Sequence, residues 1–301
     1  MALPAMADVR RALPRTAIDA FARPSVAPLF RLVEGVREVV TGSVPGDRQY
    51  GAALLLTNSF QTAWTAWRAR VPERWGYRAD WRSALLTRAV SKPADTVHQA
   101  AYYQHLTRSL GFPSGSLEPT IEAGEAERAS GRQLLMEAGW DARAPLVALA
   151  PGAAYGGAKK WPAASFAALA SALADDGVRS VLVGSAADAA AAGARGVTGL
   201  DLIGRTDLSA LAGVLLQCRA LVSNDSGAMH FASALGVPVV ALFGPTDERV
   251  TRPLARRGGR DPVVLTHDTW CRPCLLRECP LRHRCMRGIT VAEVRDAVLR
   301  I

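Results

Sequence analysis

The chain lacks any long hydrophobic run. No apolar stretch in its 301 residues reaches the roughly 18 residues that a membrane-spanning helix requires. The N-terminus also lacks the apolar core of a signal peptide, so the sequence predicts a cytoplasmic protein whose membrane contact would be peripheral. Aromatic residues make up 6% of the chain and charged residues 21%, whereas 49% of residues are hydrophobic. This length and composition suit two α/β domains, each with its own core.

Acidic residues are few relative to basic ones. Lys and Arg total 36 against 27 for Asp and Glu, which gives a net charge of +9. This balance favours an anionic partner, such as nucleic acid, an acidic membrane surface or a phosphorylated substrate. No nucleic-acid-binding motif accompanies the dispersed arginines, so we expect no nucleic-acid partner. The Walker sequence G-x4-G-K-[ST] is also absent.

The most informative stretch is SNDSGAMHFASALGVPVVALFGPTD, at residues 223–247. A buried-strand pattern ends there in Asn-Asp-Ser-Gly, and a helical apolar run follows. Asp225 and Ser226 can cap that helix, while Gly227 lets backbone N–H groups approach an anion. A second strand pattern, VPVVALF, ends in the turn GPT, so two loops converge on one edge of a parallel sheet. A simple turn with a helix cap is the alternative for the tetrapeptide alone.

Two further loops follow predicted strands in the second half of the chain. The strand at 146–150 leads into a Gly-rich loop that contains Lys159 and Lys160. A lysine beside a helix N-terminus can hold a diphosphate as a point charge. Asp188 follows the strand at 180–184, where an acidic residue can bind a ribose hydroxyl. A helix-capping role for Asp188 is the equal alternative.

Polar residues also follow a buried strand, GAALLL, in the first half. Asn58 and Ser59 open the next helix, for which a simple helix cap is the alternative. Residues 68–88 then combine basic and aromatic side chains. Arg74 and Arg82 are candidates for binding phosphates or carboxylates, because a guanidinium binds such oxyanions bidentately. The solvent-exposed face of an amphipathic helix is the alternative.

Cysteines are concentrated in one segment near the C-terminus, and only Cys218 stands apart, in a predicted core. The spacing C-x2-C-x4-C-x5-C could hold zinc or an iron–sulfur cluster. Reduced cysteines that pack a Pro-rich loop are the alternative, and we favour it, so we predict no bound metal. The four residues are Cys271, Cys274, Cys279 and Cys285.

Two of these segments resemble the motifs of glycosyltransferase family 9, the lipopolysaccharide heptosyltransferases. The family's D-[ST]-G-x-x-H-x-A-x-A-x-x-x-P-x-[VI]-x-[LI]-[FY]-G is similar to residues 225–244, and its P-G-A-x-x-G-x-A-K-x-W-P is similar to residues 151–162. The resemblance extends over nearly the whole chain and is strongest to the heptosyltransferase II-like branch.

The resemblance implies an α/β protein with the GT-B fold, in which two Rossmann-like domains face each other across a cleft. Residues 1–140 would form the acceptor-binding domain and residues 141–301 the nucleotide-sugar-binding domain, with the terminal helix packing back on the first domain. The implied reaction moves L-glycero-D-manno-heptose from ADP-heptose to the inner core of lipopolysaccharide at the inner membrane surface, without a cofactor. A catalytically silent sugar-nucleotide or glycolipid binding protein, and a transferase for another sugar nucleotide, are the alternatives.

The positions of residues at strand ends and the resemblance together assign site residues, although no catalytic residue. For His230, a packing role is the alternative. The donor would be bound by Lys159, Asp188, Asp225, Ser226, Gly227 and His230, and the acceptor by Asn58, Ser59, Arg74 and Arg82.

The family's first strand, with its loop G-[DE]-x-[VI]-x-x-x-P, has no counterpart, because the chain starts at Met1 inside that motif. The acidic residue of that loop is thought to act as general base in the family, and Asp8 lies about one turn too far along to replace it. We therefore expect a truncated or mis-started form of a longer enzyme, which binds donor but transfers poorly.

Overall fold

Helices and strands alternate along much of the chain in the computed structural model, which describes residues 1–42, 50–189 and 198–301. The strands are β1 (Ile18–Phe21), β2 (Val36–Val40), β3 (Ala52–Leu55), β4 (Glu73–Tyr77), β5 (Arg88–Val90), β6 (Leu146–Ala150), β7 (Arg179–Leu182), β8 (Leu200–Asp201), β9 (Ala220–Asn224), β10 (Val239–Phe243) and β11 (Val263–Thr266). The helices are α1 (Leu3–Ala12), α2 (Ala27–Arg31), α3 (Phe60–Arg68), α4 (Gln99–Ser109), α5 (Glu125–Glu137), α6 (Ala163–Asp175), α7 (Leu208–Leu215), α8 (Gly227–Leu235), α9 (Glu248–Thr251), α10 (Arg284–Gly288) and α11 (Val291–Arg300).

The chain divides into two compact units, Met1–Leu117 and Glu118–Ile301. The boundary predicted from the sequence lies at residue 140 instead. The difference comes from α5, which packs closely against α7 of the second unit. Two glycines allow this contact, since a Cβ on Gly131 would lie 2.0 Å from the carbonyl carbon of Gly213. Residues 118–140 therefore belong to the second unit.

The second unit is built on a parallel sheet. Within the described residues its strand order is β11-β10-β9-β6-β7-β8. Every residue of β6, β9 and β10 is buried, as expected for central strands covered on both faces. Trp161 and Phe166 pack edge-to-face at 5.0 Å in the core, next to the central strands. The prediction that Cys218 lies in a core is confirmed, and burial raises the pKa of its thiol to about 12.

The C-terminal helix α11 completes that core. Its residues Val294, Ala297 and Val298 are fully buried among side chains of α6 and the central strands. Thr290 and Glu293 form a reciprocal capping box at its N-terminus. The resemblance implied that this helix packs back on the first domain, whereas its buried residues lie in the core of the second unit.

The first unit contains two smaller parallel sheets. Strands β1 and β2 form one pair, and β3, β4 and β5 form a separate sheet in that order. Tyr77 and Leu106 are fully buried between the second of these sheets and α4. Residues 68–88, for which the sequence left an amphipathic helix as an alternative, contain β4 and lead into β5. No helix in the described ranges is long and apolar enough to cross a bilayer.

Helix α1 is anchored by Asp8, whose side chain is 1% exposed. The Asp8 carboxylate accepts hydrogen bonds from Gln104 Nε2 at 3.0 Å and from the Gly115 backbone N–H at 2.9 Å, and it pairs with Arg11. A buried carboxylate needs such partners to offset its desolvation. Asp8 therefore holds α1 against α4 in the first unit.

Candidate functional site

Three turns lie side by side at the carboxyl edge of the second unit's sheet. Strands β6, β9 and β10 are neighbours, with Ala150 in register with Ser223 and Asn224 in register with Leu242. The turns that follow these strands therefore open at the same edge, as the sequence analysis predicted for two of them. Parallel α/β sheets bind ligands at this edge.

A buried carboxylate joins two of these turns. Asp225, which is 6% exposed, accepts a hydrogen bond from the Lys159 ammonium, with Nζ 2.5 Å from Oδ2. Thr246 donates its hydroxyl to the same oxygen at 2.7 Å. The ammonium also lies 4.7 Å from the centre of the Tyr155 ring. Sequence reasoning selected Lys159 and Asp225 separately and missed both Thr246 and the ion pair.

Asn224, the last residue of β9, holds the loop that carries Lys159. Its Nδ2 donates to the Pro151 carbonyl at 2.8 Å, and its Oδ1 accepts from the Trp161 backbone N–H at 3.0 Å. Asn224 has no exposed surface. Both ends of the loop that carries Lys159 are thereby fixed to the end of β9.

The other residues predicted around Asp225 lie at the start of α8. Ser226 caps the helix, because its Oγ accepts from the Ala228 backbone N–H at 3.3 Å. The space in front of Gly227 is open, since a Cβ there would meet no atom within 4 Å. His230 is half-buried one turn further along. The α8 N-terminus thus presents backbone donors beside the Lys159 ammonium.

Asp188 lies after β7 at the same edge. One of its oxygens accepts from the Ser185 backbone N–H at 2.9 Å and from the Ser185 hydroxyl at 2.7 Å. The capping alternative is therefore confirmed. The carboxylate also faces Gly152, where a Cβ would lie 2.3 Å from its Cγ. A ribose-binding role for Asp188 stays a prediction.

The segment between β11 and α10, residues 267–283, is a cysteine-rich loop that supports the Lys159 loop. The Ala158 backbone N–H donates to the Arg277 carbonyl at 2.9 Å, and the Gly157 N–H donates to Glu278 Oε1 at 3.0 Å. The guanidinium of Arg277 also lies 5.2 Å from the centre of the Tyr155 ring. Sequence reasoning did not connect these segments, which are about 120 residues apart in the chain.

The cysteine-rich loop holds the turn after β10 as well. The Leu275 backbone N–H donates to the Pro245 carbonyl at 2.9 Å, and Arg272 Nε donates to the Gly244 carbonyl at 2.8 Å. Arg272 also pairs with Glu248 at 2.5 Å. One irregular loop therefore sets the positions of two turns that border the Asp225 cluster.

The cysteines themselves are all free thiols. Burial raises the pKa of Cys285, and the other three cysteines of the segment raise it further. In residues 1–42, 50–189 and 198–301, no group of three or more His, Cys, Asp or Glu side chains is arranged to hold a metal ion.

In the first unit, three of the predicted acceptor residues come together where β3 and β4 end. Ser59 caps α3, since its Oγ accepts from the Thr62 N–H at 3.4 Å. Asn58 donates to the Tyr102 hydroxyl at 2.8 Å, while its own buried Oδ1 has no partner among the described residues. Arg82 is fully buried, donates Nε to the Tyr77 carbonyl at 3.0 Å and also bonds the Thr57 carbonyl.

Arg82 is an unusual cation because its hydrogen-bond partners are backbone carbonyls and one hydroxyl rather than a carboxylate. Burial lowers the pKa of its guanidinium, and its Nη2 has no hydrogen-bond partner in the described part of the chain. Arg74 lies at the opposite end of β4, where its Nε donates to the Leu85 carbonyl at 2.6 Å. The structure therefore groups Arg82 with Asn58 and Ser59 and separates Arg74 from them.

Comparison with known proteins agrees with this architecture. The sequence model of glycosyltransferase family 9 (heptosyltransferase) matches residues 46–284. Lipopolysaccharide heptosyltransferase 2 of Salmonella typhimurium is 33% identical over 227 residues, and the match spans 70% of this chain and 64% of the relative's length.

Solved structures show the same fold. The structure of E. coli ADP-heptose lps heptosyltransferase II superimposes with a TM-score of 0.82 at 27% identity, covering 99% of this chain and 93% of that one. E. coli heptosyltransferase WaaC with ADP gives a TM-score of 0.70 at 20% identity, covering 99% and 94%. The prediction of the GT-B fold class is thereby confirmed. The chain belongs to glycosyltransferase family 9, the heptosyltransferase family.

Proposed function

We propose that this chain transfers L-glycero-D-manno-heptose from ADP-heptose to the inner core of lipopolysaccharide. One observation carries the proposal, the pairing of Lys159 with Asp225 where the turns after β6, β9 and β10 meet. An ammonium held there provides a fixed positive charge for a diphosphate. Lipopolysaccharide heptosyltransferases among the relatives support the identity of donor and acceptor.

The geometry suits stabilisation of a departing ADP. A lysine ammonium has three N–H donors, so Lys159 can keep its bond to Asp225 and still donate to phosphate oxygens. Backbone donors at the start of α8, next to the open space at Gly227, add to the attraction for an anion. Groups that hold the negative charge developing on the leaving group lower the barrier to breaking the anomeric bond.

The remaining predicted residues take supporting roles in this proposal. Asp188 and His230 border the donor edge and would contact the nucleotide or its sugar. Asn58 Oδ1 can only accept a hydrogen bond and Arg82 Nη2 can only donate one, and both are buried without a partner among the described residues. A hydroxyl group of the acceptor sugar can donate to the first and accept from the second, which supports an acceptor-binding role for both residues. Because the acceptor is a membrane glycolipid, we infer peripheral contact with the inner membrane surface.

Donor turnover tests the proposal. Purified protein is incubated with ADP-heptose and a heptose-deficient core acceptor, and we expect ADP release together with an acceptor mass gain of one heptose. Binding of ADP-heptose without release would instead support a sugar-nucleotide sensor. Turnover with a different sugar nucleotide in preference to ADP-heptose would support a transferase of other specificity.

A further inference from the structure

Helix α3 exposes a row of aromatic side chains on its outer face. Phe60, Trp64 and Trp67 are 42%, 36% and 46% exposed. Their rings stack in sequence, with centroids 6.1 Å apart for Phe60 and Trp64 and 4.8 Å apart for the two tryptophans. The neighbouring face of the helix, with Ala63 and Ala66, is buried. The large apolar side chains of α3 therefore point away from the core, which reverses the usual arrangement.

A fourth exposed aromatic residue directly follows Asp80, which contacts the start of α3. Trp81 is 96% exposed, and its backbone has φ 57° in the left-handed region, which is uncommon for a bulky residue. Asp80, also in that region, accepts a hydrogen bond from the Phe60 backbone N–H at 2.6 Å and so fixes the turn at the start of α3. Three of the chain's seven tryptophans are thus exposed in and beside one helix of nine residues.

Basic side chains border this row. Residues 60–90 contain six arginines but only two acidic residues, Glu73 and Asp80. Arg68 and Arg70 are exposed at the end of α3, and with Trp67 they line an open cavity of about 370 Å³. We call the four aromatic residues with these two arginines the aromatic-basic face.

We propose that the aromatic-basic face docks on the surface of an anionic phospholipid bilayer. Amphipathic indole rings favour the headgroup region, and arginine guanidinium groups bind lipid phosphates while their stems lie along apolar surface. A helix of this length lies in the interface rather than crossing the bilayer. The positive charge of the face matches anionic lipid and disfavours a basic protein partner.

This inference rests on the proposed function and makes it more specific. The N-terminal end of α3 is the Asn58–Ser59 end, so the face begins beside the residues that we assign to the acceptor. A bilayer seated on the aromatic-basic face would bring lipid headgroups close to that edge of the first unit. An acceptor that is anchored in the same bilayer could then bind without leaving it.

Vesicle co-sedimentation tests the docking. The wild-type chain should pellet with vesicles of phosphatidylethanolamine and phosphatidylglycerol, less so at high salt, and weakly with phosphatidylcholine alone. Changing Trp64→Ala and Trp67→Ala together should lower the partition coefficient by roughly tenfold or more, because two large aromatic contacts are lost. Arg68→Glu with Arg70→Glu should abolish the preference for anionic lipid. The matched control is Trp270→Ala, which removes a 79% exposed tryptophan from the second unit and should change nothing.

Other outcomes would overturn the inference. In one, the wild-type protein does not pellet with anionic vesicles. In the other, the variant with both Trp64→Ala and Trp67→Ala folds normally and pellets with vesicles as much as the wild type. A monomer–dimer equilibrium abolished in that variant would assign the face to a second copy of the chain. Calorimetric ADP binding and turnover on a deacylated, water-soluble acceptor separate docking from catalysis. If the tryptophan variant lost turnover on the deacylated acceptor, the aromatic-basic face would be part of the sugar-binding site. If the wild-type protein bound vesicles but showed no turnover, the proposed function would be wrong and the docking inference would stand.

Discussion

Removing the Asp225 carboxylate should destabilise the second unit strongly. Asp225→Ala would leave the Lys159 ammonium, whose side chain is only 12% exposed, without its counter-charge and the Thr246 hydroxyl without its acceptor. Breaking a buried ion pair costs roughly 3–5 kcal/mol. Because the flexible lysine stem can carry the ammonium towards water, we expect the lower end, about 3 kcal/mol. For a unit of this size that corresponds to a fall in Tm of about 6–12 °C.

A double-mutant cycle isolates the ion pair from other effects. Lys159→Met alone should also destabilise, since it leaves the Asp225 carboxylate with Thr246 as its remaining partner. Combining Lys159→Met with Asp225→Ala removes both charges, so the cost of the double variant should be smaller than the sum of the two single effects by about 2 kcal/mol or more. The measurement is thermal unfolding followed by calorimetry and circular dichroism.

The cycle has clear opposing outcomes. Single effects that add to within about 0.5 kcal/mol would mean that the two side chains do not interact in the folded protein. An Asp225→Ala variant that melts like the wild type would mean that Lys159 is solvated and unpaired. Either result would show that the Lys159 ammonium is not held in place by Asp225, and the proposed donor site depends on that pairing.

Four further results are expected. Lys159→Ala should weaken calorimetric binding of ADP and ADP-heptose by about 1.5–3 kcal/mol while Lys160→Ala has little effect, and unchanged affinity would remove Lys159 from the site. Gly213→Ala should lower the free energy of unfolding by about 3 kcal/mol, because the added Cβ would lie 1.8 Å from the Glu127 carbonyl oxygen. An unchanged denaturation midpoint would contradict the contact between α5 and α7. Arg295 lowers the pKa of Asp176, so the wild type should have a higher Tm than Asp176→Asn above about pH 4. The Tm difference should vanish as the pH falls through the lowered pKa of Asp176, and a Tm difference that does not depend on pH would refute this. Chelators should leave fold and donor binding intact, whereas stoichiometric zinc or iron whose removal unfolds the protein would show that the cysteines bind metal.

The central part of the second unit could be predicted well from the sequence. Strand β6 has the predicted bounds because it is an uninterrupted apolar run, and α6 begins directly after Pro162, which favours a helix start. The candidate donor residues could be predicted because they come directly after predicted strands of a parallel sheet. The bond between Lys159 and Asp225 could not be predicted, because it depends on β6 and β9 being neighbours in the sheet.

The first unit was harder to predict because its pattern is mixed. Strand β4, ERWGY, combines charged and aromatic residues without regular alternation, and nothing in it distinguishes a strand from a polar helix. For Arg82 the sequence predicted a role in binding the acceptor, with a solvent-exposed helix face as the alternative, and neither indicates a buried side chain. Its burial depends on carbonyls from Thr57 and Tyr77, and such a cage of backbone oxygens has no signature in the sequence.

The cysteine-rich loop limits how the protein can be engineered. It has no strand and forms contacts at several points with the turns on either side of the Asp225 carboxylate. A long surface loop is normally a good place for an inserted tag or a changed length. Here each added residue would shift the backbone groups that hold both turns, so labels and fusion partners belong elsewhere in the chain.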